Sequence, residues 1–237
     1  QWYAGMGIDV VSLANNHALD FGKDALTDTF STLDQAGINY VGAGSSKERA
    51  KAAIIIEKNK KKFGFLSASR VIPVTSWNLD EGQPGLFCTY DPSQLVTEIA
   101  KAKQVCDYVV VYVHWGIEYQ AKPAEYQVNM AKQYIDAGAD LVLGAHPHVL
   151  QGFEFYKGKA IVYSMGNFVF TKNIASTMAL KVVVTPDNQT QIQVLPGKAE
   201  NAYTRLCEGT QRQEIIDYLT SISINATVDA QGMVHEN

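Results

Sequence analysis

Three apolar, β-branched runs in this chain each end in a turn that carries histidine: Val10-Val11-Ser12-Leu13-Ala14-Asn15-Asn16-His17, Val109-Val110-Val111-Tyr112-Val113-His114-Trp115-Gly116 and Leu141-Val142-Leu143-Gly144-Ala145-His146-Pro147-His148. Four of the five histidines lie in these turns, which makes them the place to look for chemistry. Imidazole is the commonest neutral metal ligand and the side chain best suited to proton transfer near pH 7. Open α/β sheets place their ligands just past the carboxyl ends of strands, so residues distant in sequence can converge there. The combination points to metal-dependent hydrolysis.

Each turn offers a different set of donors. In His146-Pro147-His148 a rigid proline separates two imidazoles, so that one can reach a metal while the other reaches a second metal or a substrate oxygen, and Gly144 permits close backbone approach. His114 is followed four residues later by Glu118, a carboxylate that can ligate a hard divalent ion or hold a histidine in the right tautomer. Asn15-Asn16-His17 with Asp20 combines a neutral oxygen ligand, an imidazole fit for general acid catalysis and a carboxylate. Asn15 is expected mainly to make an Asx turn, with a substrate contact as its functional role, and Asp20 either orients His17 or caps the following helix. Asn167, in Ser164-Met165-Gly166-Asn167, also follows a strand and is a candidate substrate contact.

The elements that must carry these turns alternate at first. Ile8 to Leu13 reads as a strand, and Asp24 to Ala36 as a helix with Leu26, Phe30 and Leu33 on one face and Gly37 as its stop. Ala53 to Glu57 and Lys62 to Ser67 form a hairpin around a lysine-rich turn, and Ile72 to Tyr90 a long loop. Asp91-Pro92-Ser93-Gln94 has the form of a helix start, with Asp91 as cap and Gln94 as capping-box partner. Tyr108 to Val113 is a central strand, Ala124 to Ala137 a helix and Asp140 to Leu143 the next strand. Strand then follows strand, at 153–156, 160–163, 178–185 and 191–195, which predicts a mainly antiparallel second sheet. A Thr210-x-x-Gln213 cap opens a last helix to Ile222, and 223–237 shows no pattern. Two packed sheets with helices outside, an α/β four-layer αββα sandwich, is the expected fold, as one domain over 1–222 with a C-terminal tail.

Composition narrows the function. With 237 residues, 46% of them apolar, the chain can bury a large core. A net charge of −4 offers no basic field for nucleic acid. No apolar stretch approaches the ~20 residues needed to span a bilayer. Three widely spaced cysteines, Cys88, Cys106 and Cys207, fit neither a disulfide framework nor a zinc knuckle. No G-x-S-x-G elbow, P-loop or H-E-x-x-H helix occurs, and Gly42-Ala43-Gly44 reads as a turn. The start at Gln1-Trp2-Tyr3 reads as a cut through a longer protein, with any targeting segment upstream.

Together, residues 12–22 (SLANNHALDFG), 113–119 (VHWGIEY), 144–152 (GAHPHVLQG) and 163–170 (YSMGNFVF) resemble the bacterial poly-gamma-glutamate capsule biosynthesis protein family, CapA, over roughly residues 1 to 200. The resemblance implies a calcineurin-like metallophosphoesterase fold. In that superfamily an Asn-His pair, a lone later His and a Gly-x-His-x-His element supply much of a two-metal site, which here maps to Asn16 with His17, to His114, and to His146 with His148. It also implies acidic motifs before the Asn-Asn-His segment. Only fourteen residues precede Asn15, and Asp9 lies in a predicted strand, so those carboxylates and the N-terminal strand or strands that carry them are expected to be missing here.

The implied activity is metal-assisted hydrolysis or transfer on an anionic polymer or phosphoester. Asn16, His114, His146 and His148 are the expected ligands of divalent ions (Mn, Zn, Fe or Mg), a water molecule is the nucleophile, and His17 protonates the leaving group. Asp20 and Glu118 assist, and Asn15 and Asn167 meet the substrate. The implied setting is the extracytoplasmic cell surface, anchored by an upstream membrane segment, among other capsule-synthesis membrane proteins. Two rival readings are a general phosphoesterase of the same fold and a non-catalytic polymer-binding or assembly subunit.

Overall fold

A computed structural model describes residues 5–79 and 82–237, and the chain packs as two compact units, Gln1–His114 with Asp136–Ala139 and Trp115–Ile135 with Asp140–Asn237. In the first, β1 (Val10–Ser12) runs parallel to β2 (Asn39–Val41), with Val11 opposite Tyr40. The crossover is α1 (Gly22–Gln35), which buries Leu26, Phe30 and Leu33, the apolar stripe its spacing predicts. Phe30 stacks on Tyr40 with ring centroids 4.9 Å apart. The helix stops where expected: Gly37 has a φ of +68°, and the Gly37 and Ile38 amides donate to the Asp34 and Leu33 carbonyls in a Schellman motif.

β3 (Ala43–Gly44), α2 (Lys47–Lys51), β4 (Ile54–Lys58) and β5 (Lys61–Ser69) follow. β4 and β5 form the expected hairpin, with Asn59 and Lys60 at φ of +51° and +64°, as a two-residue I′ turn requires. The long loop after β5 contains a 3₁₀ turn at Thr75–Trp77 and the two-residue strand β6 (Gly85–Leu86), which pairs with β3. Residues 80 and 81 of that loop lie outside the described residues. α3 (Ser93–Lys103) buries Leu95, Ile99 and Ala102 and leads to β7 (Tyr108–His114), parallel to β5 with Ser69 opposite His114. The capping box expected at α3 does not form. Asp91 does cap the helix as expected, accepting from the Ser93 amide at 2.9 Å with Pro92 at helical backbone angles as the first residue, but Gln94 accepts from the Lys51 ammonium instead of closing the box.

In the second unit α4 (Glu125–Asp136) precedes β8 (Leu141–Ala145), β9 (Leu150–Tyr156) and β10 (Lys159–Met165), with β10 parallel to β8 and antiparallel to β9. β11 (Ile174–Val184), β12 (Thr190–Glu200) and β13 (Tyr203–Leu206) form an antiparallel sheet, but the strands expected with them at 153–156 and 160–163 lie in the sheet of β8 instead, where β10 pairs parallel to it. α5 (Gly209–Ile222) buries Ile215, Ile216 and Leu219. Its start differs from the expected Thr-x-x-Gln box: Glu208 holds the cap position without a side-chain bond, and Gln213 donates to Asp217 one turn on. The patternless stretch after α5 is a hairpin of β14 (Ala226–Val228) and β15 (Val234–Glu236), strands too short for periodicity to register. Just before it, the Asn225 carboxamide accepts from the Phe155 amide at 2.7 Å and donates to the Phe155 carbonyl at 2.9 Å, covering the edge of β9.

The core of this unit turns on Trp115, fully buried, whose indole donates to the Tyr163 carbonyl at 3.0 Å while its ring stacks on Tyr134 and Tyr163. A Cβ on Gly144 would lie 2.0 Å from the Tyr163 carbonyl oxygen and 2.4 Å from the indole nitrogen. Only glycine fits there. Mixed parallel and antiparallel sheets with helices on them give the α/β class that the alternation of patterns predicts.

Candidate metal centre

The segment after β7 is held against the turn that follows β8. The Trp115 amide donates to the Ala145 carbonyl at 2.9 Å, the Tyr119 amide to the Pro147 carbonyl at 2.8 Å, and Gly116, at a φ of +96°, leaves no room for a Cβ beside Pro147. Glu118 therefore meets His146 and His148, and the ligand atoms of all three lie within 4.8 Å of one another. Three non-glycine residues around this group have left-handed backbone, Tyr119 at φ +62°, His146 at +101° and His148 at +62°. Such conformations cost on the order of 1–3 kcal/mol each and persist where the surroundings enforce them, commonly at functional sites.

Asn167 Oδ1 lies 2.8 Å from His148 Nδ1. With the carboxamide oxygen as acceptor, Nδ1 carries the proton and Nε2 keeps a lone pair for a ligand. The half-buried His148 ring lies between Tyr119 and Phe170, with centroids 5.9 and 5.4 Å away. Two imidazoles and one carboxylate make a mixed nitrogen and oxygen donor set that suits a divalent ion. The sequence-predicted His146, His148, Glu118 and Asn167 are thus brought together in this unit.

The loop that carries Glu118 is braced from beneath by two fully buried glutamines. Gln127 donates to Gln151 Oε1 at 2.9 Å and accepts from the Ala124 amide at 2.8 Å, and Gln151 donates to the Gln120 and Lys122 carbonyls at 2.9 and 3.3 Å. Neither glutamine stands out by residue type, although Gln151 lies inside the segment 144–152 that carries both histidines.

In the first unit the turn after β1 gathers the other predicted residues. Asn16 Oδ1 lies 2.9 Å from His114 Nε2 at the end of β7. With Nε2 protonated the contact is a hydrogen bond accepted by the carboxamide oxygen. Asn15 Oδ1 accepts from the His17 amide at 2.8 Å, the expected Asx turn. His17 Nδ1 lies 2.8 Å from Asp20 Oδ2, so Asp20 orients the exposed imidazole, and α1 begins beyond Phe21 with no side-chain cap. The fifth histidine, His235, pairs with Asp229 at 2.8 Å in the C-terminal hairpin.

Comparison with known proteins gives the family and the fold. The family model of the bacterial capsule synthesis protein PGA_cap matches residues 1–172. The capsule biosynthesis protein CapA of Bacillus anthracis is 39% identical over 175 residues, which cover 72% of this chain and 42% of that relative, so the chain spans less than half its length. A solved Staphylococcus aureus structure, provisionally named a 5'-nucleotidase, aligns with a TM-score of 0.57 at 15% identity over 92% of this chain and 44% of its own. Haemophilus influenzae NAD nucleotidase aligns with a TM-score of 0.51 at 13% identity, over 91% of this chain and 46% of the nucleotidase. At these identities the likeness is one of fold, and that fold is metallophosphoesterase-like.

Proposed function

The chain belongs to the bacterial capsule synthesis protein family, PGA_cap, and we propose that it serves the making, export or trimming of an anionic capsule polymer, poly-gamma-glutamate, through metal-assisted hydrolysis or transfer. The observation that carries this reading is the Glu118, His146 and His148 group, drawn together by strained backbone. Glu118, His146 and His148 would hold a divalent cation, manganese, zinc, iron or magnesium, which when bound would supply Lewis-acid polarisation of an acyl or phosphoryl oxygen and a more nucleophilic water.

His148 would bind through Nε2, with Asn167 holding its Nδ1 proton. Asn16 and His114 present a second pair of ligand atoms. Within the first unit His17, oriented by Asp20, is set up as a proton donor. The setting is the cell surface, within a polymer-synthesis system of membrane proteins. Among the described residues no helix is long and apolar enough to cross a membrane.

The test is metal content by mass spectrometry after loading with manganese or zinc, on this chain and its His146→Ala variant. Stoichiometric metal that is lost in the variant is the expected result. No metal in either protein, or equal metal in both, overturns the reading. The nucleotidase-like fold favours one rival, a general phosphoesterase, and turnover of simple phosphoesters in manganese, without cleavage of poly-gamma-glutamate, would select it.

A further inference from the structure

A cleft of about 230 Å³ opens beside His148 in the second unit, lined by Tyr119, Asn167, Phe170, Lys172 and Asn173 among others. Besides Tyr119, His148 and Ser176, its polar side chains are two carboxamides and one ammonium. Asn173 Oδ1 already accepts from the Asn201 amide at 3.0 Å, and Asn167 Oδ1 is taken by His148. Each carboxamide is left with its NH₂ group to offer, and the Lys172 ammonium can only donate. One cation lines the cleft, and no carboxylate does among the described residues. Tyr119, Phe170 and Ile174 supply an apolar wall.

From this lining we infer a subsite for a single carboxylate on a short methylene stem, that is, one acidic unit of an amide-linked chain. Lys172 balances the charge, Asn173 and Asn167 donate to the carboxylate oxygens, and the aromatic wall takes the stem. In the metal-stripped chain the single Lys172 charge matches a monocarboxylate better than a phosphomonoester, which at neutral pH carries nearly two negative charges. Size agrees: the cleft lies below the ~300–1,000 Å³ of pockets that enclose drug-sized ligands. The inference rests on the polymer reading above for its choice of probe, and on the metal reading only in that the subsite adjoins His148.

The test is equilibrium binding of a tetramer of γ-linked glutamate to the metal-loaded chain, its Lys172→Gln variant and the metal-stripped chain. Loss of one charge-assisted hydrogen bond predicts binding weaker by about 10-fold or more in Lys172→Gln, with metal content unchanged. The uncharged γ-linked glutamine tetramer should bind more weakly by a similar factor. Equal affinity of Lys172→Gln and the parent overturns the subsite, and so does displacement of the glutamate tetramer by millimolar inorganic phosphate in the metal-stripped chain. A chain that takes up no metal yet binds the tetramer through Lys172 would overturn the metal reading and leave the subsite standing.

Discussion

His148 Nδ1 and Asn167 Oδ1 are 2.8 Å apart, although 19 residues separate them in the chain. With the carboxamide oxygen as acceptor the contact sets one tautomer, which leaves Nε2 with the lone pair a metal needs. Removing such a partner from a ligating histidine commonly costs 10–100-fold in metal affinity. Asn167→Ala should weaken manganese or zinc binding by about that factor, read by competition with a chromophoric chelator. Unchanged affinity would remove Asn167 from the support of the site.

How far the sequence prepares for this arrangement differs by element. The α1 stripe, the β4–β5 turn and the strand-end histidines are local patterns, and each is legible because periodicity or residue type alone specifies it. The β3–β6 pair and the C-terminal hairpin consist of strands of two or three residues, too short to show a period. Thr210 has Gln213 at the right spacing but lies inside the helix, behind the extended Glu208 at the cap position, and at Asp91 the cap forms while its expected partner Gln94 is taken by Lys51. Glu118 was visible as a candidate with two open roles. Its place beside His146 and His148 depends on the Tyr119 to Pro147 hydrogen bond between distant segments, which no spacing encodes.

The Gln127–Gln151 pair gives a second prediction. Gln151→Leu leaves the Gln127 amide group and the Gln120 and Lys122 carbonyls with one partner fewer in a buried setting, at a cost of about 1–3 kcal/mol in urea unfolding. The double variant Gln127→Leu with Gln151→Leu should cost less than the sum of the two single changes, because the pair shares one bond. Metal affinity should fall with Gln151→Leu, since the loop it braces carries Glu118. Additive losses, or a loss of stability with metal affinity intact, would separate this network from the site.

Acid should loosen the C-terminal hairpin. The Asp229 carboxyl is held below its usual value of 3.8 by the hydrogen bond from His235 and by the Met233 and Gln231 amides that donate to it. A depressed carboxyl stabilises the fold fully above its ordinary value, and that contribution is lost as the pH falls through the lowered one. The Gln231 and Met233 amide proton shifts should therefore hold steady from about pH 7 to 5 and move toward unfolded values below about pH 4. Asp229→Asn should abolish that acid transition. Shifts that are flat down to pH 2 in the parent chain would show that the carboxylate does not hold the hairpin.

The His17–Asp20 pair makes a prediction that depends on the leaving group. If His17 delivers a proton as the scissile bond breaks, His17→Ala should slow turnover by about 100-fold or more on a substrate that departs as an amine or alkoxide. The loss should shrink on a p-nitrophenyl ester, whose leaving group departs without a proton. Asp20→Asn keeps the imidazole and removes only the charge that orients it, so it should show the same dependence on leaving group with a smaller amplitude. Metal content should be unchanged in both variants, since His17 Nδ1 is turned toward Asp20 and neither residue belongs to the Glu118, His146 and His148 group. Equal losses on good and poor leaving groups would take proton transfer away from His17.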